Sequence, residues 1–290
     1  MEPRKPLDKS QVRQRIAALE DLPTLSTVVV QLFETAADPN ASALDLAKHL
    51  AADQSLCAAL LRLVNSAYYG FYRQVSSVTD AVVILGFSKV RDLALTATAF
   101  TALPDIRSAF DRTQLWRHSL GVAIAADRIA KALGLSPDKG HFSAGLLHDM
   151  GKVTFDLLYP EDYVETVNLA HDQEQPVWKA EDAHFGVSHA ELGALLGEHW
   201  NLPQPLVDAI RHHHDAVIEM ENQELTHVTA LANFVVYRAG LGEYSNGCPP
   251  ELPETSVQYL GVAEAQWTRI AEELGTSHQR IDALLGVLPD

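Results

Sequence analysis

The stretch SALDLAKHLAADQSLCAALLRLV, residues 42–64, decides the fold class. Asp45 stands three residues after Ser42, the spacing with which a helix start satisfies its first free backbone N–H groups. Leu46 and Leu50 then fall one turn apart. Asp53 opens a second helix, in which Leu56, Leu60, Leu63 and Val64 form a single apolar stripe. The pattern repeats outward from there. Ser77 and Asp80 precede Ala81, Ile84 and Leu85, with Gly86 as a stop and Ser88 opening a helix through Val90, Leu93 and Ala97. Leu115, Val122, Ile129 and Leu133 keep a heptad-like spacing that Gly134 ends. Further helices are expected from about 141, 161, 188, 205 and 225, and a last pair within 256–285. No alternating strand run interrupts them, so the chain reads as all-α. Pro104 divides it into two helical lobes, 15–103 and 104–290. EYSNGCPPELPETS, residues 243–256, reads as a loop.

Of the 290 residues, 47% are hydrophobic and 21% charged, as in ordinary globular proteins. The formal net charge of −16 argues against a broad phosphate-backbone footprint, hence against direct DNA binding. Two cysteines, Cys57 and Cys248, are expected as free thiols. The opening MEPRKPLDKSQVRQ has no apolar core of a signal peptide, and no run of about 18 apolar residues could span a membrane. A cytoplasmic location is the expectation.

Thirteen histidines are too many for all to be functional. His118 lies on the stripe between Leu115 and Val122 and is expected to point inward. In LLHDMGK, His148 and Asp149 are neighbours. On one helix they would diverge by about 100°, so both reach one ion only if the helix faces it edge-on. Gly151 allows close backbone approach, and Lys152, one turn after Asp149, could offset its charge or polarise a phosphate. His189 follows Ser188 in a capping-box pattern completed by Glu191, which places it in a first helical turn. In RHHHD, a helix starting near Pro205 puts Leu206, Ile210, His213 and His214 on one face and His212 on the other. Such a set of imidazoles and a carboxylate suits one or two ions of iron, manganese or zinc. A carboxylate shared between two metals is a common way to prepare attack on a phosphate ester. His49, His141, His171, His184, His199, His227 and His278 read as surface or packing residues. The aromatic run YYGFY, 68–72, reads as packing at a turn that Gly70 closes. Arg62, Lys89 and Arg91 read as solvated helix charges.

The segment from LPTLSTVVVQLF through LVNSAYYGF, followed by VSSVTDAVVILGFSKVRDLAL, resembles the HDOD family. The likeness continues through WRHSLGVAIAADRIA, LLHDMGK, FGVSHAELGALL and WNLPQPLVDAIRHHHD, covering roughly 15–240. It implies a helical bacterial signalling module related to HD phosphohydrolases and HD-GYP phosphodiesterases. By that likeness His118 is the first superfamily histidine, His148 and Asp149 the HD pair, and Lys152 the following lysine. His189, His213 and His214 correspond to the additional HD-GYP histidines. Three positions depart from the pattern. Asn233, in LANFVV, stands where the superfamily has its final Asp. Gln114 stands where HD-GYP enzymes often carry Glu. No DGxGYP follows the histidine run, which argues against cyclic di-GMP hydrolysis. The first two departures weaken a position made of His118, His148, Asp149 and Asn233. A second, made of Asp149, His189, His213 and His214, keeps its set.

Three functions stay open on the sequence. One is a non-catalytic signalling module that binds a partner protein or small nucleotide, with a homodimer as a candidate assembly. Another is a metal-dependent phosphohydrolase of a nucleotide-like ester, using Asp149 and Lys152. The third is a set of buried histidines with no metal.

Overall fold

The computed structural model describes residues 8–18, 27–37, 42–102, 109, 111–136, 139–216, 223–241, 248 and 250–287. Pro104 and most of the segment 242–249 lie outside them. The described residues form helices and no strand. The first are α1 (Lys9–Ala18), α2 (Thr27–Ala37), α3 (Ala43–Ala51), α4 (Gln54–Val64), α5 (Val78–Leu85) and α6 (Phe87–Ala102). Next come α7 (Arg112–Ala132), α8 (His141–Leu147), α9 (Met150–Leu158), α10 (Pro160–Asp172), α11 (Val177–Phe185) and α12 (His189–His199). The last are α13 (Gln204–His212), α14 (Gln223–Arg238), α15 (Glu254–Leu260), α16 (Glu264–Gly275) and α17 (His278–Leu285).

The opening stretch folds as its spacing demands. Ser42 and Asp45 close a reciprocal capping box, and the Asp53 carboxylate accepts the Leu56 N–H at 2.9 Å. Leu46, Leu50, Leu60, Leu63 and Val64 are fully buried. Asn65 fixes the turn that follows α4. Its side-chain amide donates to the Leu61 and Val75 carbonyls, and its oxygen accepts the Val75 N–H, each at 2.8 Å. Gly70 takes φ +62° within that turn. Tyr68 and Tyr69 are half-buried and pack edge to face, whereas Phe71 and Tyr72 are exposed, so the packing reading holds for only part of YYGFY.

Helices α2, α4 and α5 pack on α6, and α6 in turn meets α8. Arg91 and Asp92 on α6 correct the expectation of solvated charges for Arg91. Both are 3% exposed and form an ion pair at 3.0 Å, and Ser143 of α8 donates to the same Asp92 oxygen. Desolvation on this scale is tolerable only because charge and hydrogen-bond partners are buried together. Lys89 pairs with Asp127 of α7, while Arg62 is exposed.

Helix α7 packs on α8 and α14, and α12 packs on α9 and α13. These contacts bring the candidate site together. The C-terminal part differs from expectation. It holds three helices rather than a pair, and α15 already begins at Glu254, because Gly261 in the left-handed region stops one helix and Ala263 starts another. Helices α1, α2, α9 and α11 are further elements that the sequence reading does not single out.

Candidate metal centre

His118 sits in the middle of α7 and is 4% exposed. The HD pair does not lie on one helix wall. His148 is the C-cap that follows α8 and Asp149 the residue that precedes α9, with φ −98° and ψ 8°. That break in the helix replaces the 100° divergence of consecutive helical residues, so both side chains turn toward the same space. His189 is the first residue of α12, with Ser188 as its cap. The capping box is only half made there, since the Glu191 carboxylate pairs with Arg211 instead. His213 is the cap of α13 and His214 the next residue. The double histidine therefore enters from the turn after the helix rather than from its apolar face. His212 lies to the side and pairs with Asp215 at 3.2 Å.

The donor atoms of His118, His148 and Asp149 lie within 4.8 Å of one another, and so do those of His189, His213 and His214. Asp149 stands between the groups and gives one oxygen to each side. Its Oδ2 is 3.5 Å from His148 Nε2 and 3.8 Å from His118 Nε2. Its Oδ1 is 3.2 Å from His189 Nε2 and 3.8 Å from His213 Nε2. Lys152 Nζ donates to Oδ2 at 2.7 Å. His214 Nε2 lies 2.9 Å from His189 Nε2.

Two of the inner imidazoles, His148 and His213, are held from behind by backbone. Nδ1 of His148 faces the Gly145 carbonyl at 2.8 Å, and Nδ1 of His213 faces the Ile210 carbonyl at 2.7 Å. A carbonyl only accepts, so these Nδ1 atoms carry hydrogen and the Nε2 lone pairs point inward. Both Nε2 atoms are buried and, among the described residues, have no hydrogen-bond partner. Burial pushes His118 down to about 3, and it also lowers His148, His213 and His214. These four rings stay neutral, the form in which imidazole binds a cation, whereas at His189 burial is outweighed by the Glu181 carboxylate, which raises that ring. Burial opposes ionisation of Asp149, but His148 and the Lys152 ammonium outweigh it and hold the carboxyl well below its usual range. Inward-facing imidazole nitrogens around one ionised, two-sided carboxylate fit one or two divalent cations.

The sequence reading missed Glu181 of α11 and Tyr163 of α10. Glu181 is wholly buried and accepts three hydrogen bonds. One comes from the Tyr163 hydroxyl at 2.8 Å, and two come from His189, through its backbone N–H at 2.7 Å and its Nδ1 at 2.6 Å. A signal existed: Val177, Glu181 and Phe185 share one stripe of α11, and a carboxylate on an otherwise apolar stripe needs a buried partner.

Asn233 of α14 and Lys152 line a cavity of about 610 Å³ together with His189, His213, His214 and Trp178. The Trp178 ring lies 5.7 Å from the His214 ring and 20° from parallel. Gln114, one turn before His118, accepts from Arg117 at 2.8 Å. Of the histidines set aside, His141 and His227 are buried. His141 meets Glu224 at 3.3 Å and His227 meets Ser256 at 3.0 Å, both as packing residues.

No described helix is long and apolar enough to cross a membrane. An uncharacterized protein of Treponema pallidum is 27% identical over 268 residues, which is 90% of this chain and 50% of that protein. The chain thus spans about half the length of this curated relative. An HDOD domain protein of unknown function from Geobacter sulfurreducens is 26% identical, covers 96% of this chain and 97% of its own, and superposes with a TM-score of 0.80. A candidate signal transduction protein from Marinobacter aquaeolei shares the fold at 21% identity and a TM-score of 0.81, over 96% of this chain and 64% of its own. The model of the HDOD domain matches residues 22–216, about two thirds of the sequence. On that match, and on a helical frame shared with the Geobacter protein nearly end to end, the chain belongs to the HDOD domain family.

Proposed function

We propose that this chain is a signal-transduction module whose HD centre holds a divalent metal, iron, manganese or zinc, beside a cavity that takes a phosphate-bearing ligand. The observation that supports this best is the pair of buried, unpartnered Nε2 atoms on His148 and His213, each fixed through its own Nδ1. Burying a polar atom without a partner costs about 1–3 kcal/mol, and a bound cation removes that cost. In this reading His118, His148 and Asp149 hold one ion, with Asn233 lending a neutral oxygen at most. Asp149, His189, His213 and His214 hold the other. A metal bound there supplies Lewis acidity and positive charge toward a phosphate group. Lys152 offsets the Asp149 charge, and its place in the cavity wall adds a cation that an anionic ligand meets. Trp178 offers a flat ring beside His214 on which a nucleobase can stack.

The test is metal content by mass spectrometry on untagged protein purified without chelator or added metal. One to two equivalents are expected, and Asp149→Asn should lose them. Wild-type protein that takes up no metal even after reconstitution would overturn the proposal.

A second reading, hydrolysis of a nucleotide-like phosphate ester, is favoured by the complete donor set of the group that opens on the cavity. Metal-dependent turnover of such an ester, lost in Asp149→Ala, would select it. Metal-loaded protein that binds nucleotides and leaves them intact would select the non-catalytic module.

A further inference from the structure

Glu181 is fully buried, and among the described residues its hydrogen-bond partners are Tyr163 and His189. An isolated carboxylate in such a place would take up a proton or be replaced by an apolar residue. This one is retained with three donors on it, two from a single residue. The backbone and ring of His189 both bind Oε2, at 2.7 and 2.6 Å. That two-point grip fixes the position of the residue and the rotation of its ring together. The opposite nitrogen, Nε2, then points at Asp149 Oδ1 and His214 Nε2, at 3.2 and 2.9 Å.

The same geometry separates His189 from its neighbours. His148 and His213 are held by neutral backbone carbonyls, whereas His189 is held by a carboxylate. A carboxylate behind an imidazole fixes the Nδ1–H tautomer and makes the distal nitrogen a stronger donor than a carbonyl does. Tyr163 holds the other oxygen, Oε1, so the carboxylate cannot rotate out of this role without losing a hydrogen bond.

We propose that Glu181 is the positioning residue of the His189–His213–His214 group, a buried carboxylate that sets His189 as its strongest nitrogen donor and so sets the metal affinity of that position without touching the ion. The proposal rests on the reading that this centre holds a divalent metal. It adds that the strength of the site is set from α11, the same helix that places Trp178 on the cavity wall.

The experiment titrates the whole 290-residue chain, stripped of metal, with Co²⁺ by calorimetry, for wild type and Glu181→Gln. Gln keeps the volume and an accepting oxygen and removes the charge. A Co²⁺ affinity about 10- to 100-fold weaker, with an unchanged circular dichroism spectrum, is the expected result. An affinity equal to wild type would overturn the proposal while leaving the metal centre standing. Wild type that binds no Co²⁺ would overturn both. A second measurement needs no variant and covers a Gln variant that fails to fold. In the Zn²⁺-loaded wild type, long-range proton–nitrogen spectra should show His189 with hydrogen on Nδ1, far downfield, and metal on Nε2. Metal on Nδ1, or no proton there, would overturn the assignment.

Discussion

Gly151→Ala is a one-carbon change whose effect follows from the seam between α9 and α12. A β-carbon built on Gly151 would stand 2.7 Å from the Gly193 nitrogen and 2.7 Å from the His189 carbonyl carbon, with the His189 oxygen nearer still. Ordinary contact begins at 3.4 Å. The Gly193 nitrogen and the His189 carbonyl carbon alone require a separation of about 0.7 Å, the nearer His189 oxygen requires about twice that, and all three are backbone atoms that no rotamer change can move. Overpacking of this kind costs about 1–3 kcal/mol, and an immovable neighbour puts it at the upper end. Ala exceeds Gly in helix propensity by at most about 1 kcal/mol. The net loss is at least about 2 kcal/mol, a drop of roughly thirtyfold or more in the folding equilibrium constant. Because α9 follows Asp149 and α12 begins with His189, the same separation widens the 3.2 Å gap between those side chains and weakens metal binding. Urea denaturation of metal-free protein measures the first effect and calorimetric metal titration the second. Gly197→Ala is the control, since its β-carbon would meet the Val207 side chain at an ordinary 3.4 Å and should be neutral or stabilising. A Gly151→Ala protein as stable as wild type, with the same metal affinity, would refute the packing argument.

Asn233→Asp restores the carboxylate that the superfamily pattern carries. It should raise metal occupancy at the His118–His148–Asp149 position, read as equivalents bound; unchanged stoichiometry and affinity would count against that placement. Asp92→Ala removes the buried carboxylate to which Arg91 and Ser143 both donate, and it should cost about 3–5 kcal/mol in chemical denaturation. Burial lowers the pKa of His227 from its ordinary 6.5. The unfolded chain then binds the extra proton first, so this residue's contribution to stability falls as pH drops below about 6.5, by up to about 1.4 kcal/mol per pH unit until the folded ring protonates. His227→Phe should flatten that part of the profile in pH-dependent melting curves, and an unaltered slope would exclude His227 as its source.

Much of the fold was legible because its helices announce themselves locally. The Ser42–Asp45 box, the Asp53 cap, Gly86 and the Leu115–Leu133 stripe each encode their element within a few residues. Helices α9 and α11 escaped because α9 follows α8 after a single kink and α11 is short, with its apolar stripe interrupted by Glu181. Residue types were easier to read than positions. His213 and His214 were placed on a helical face, yet they sit past the end of α13, and boundaries are where periodicity carries least information. The HD pair was puzzling on an unbroken helix because sequence does not show the break at Asp149. Arg91 was misread because a buried ion pair looks, in sequence, the same as a solvated one. Glu181 depends on a partner eight residues away on another helix, a relation that no local pattern contains.

Five of the seven side chains named for the metal centre belong to helix ends: His148, Asp149, His189, His213 and His214. Helices behave as stiff rods, and the separations of their tips therefore record how the rods are arranged. A metal–nitrogen bond is about 2 Å long and tolerates little stretch. The centre is in effect a caliper spanning α8, α9, α12 and α13. With the proposed ion bound, a partner that slid one of these rods by about 1 Å would open its jaws and weaken the grip on the ion, and the seated ion would resist the slide by the same free energy.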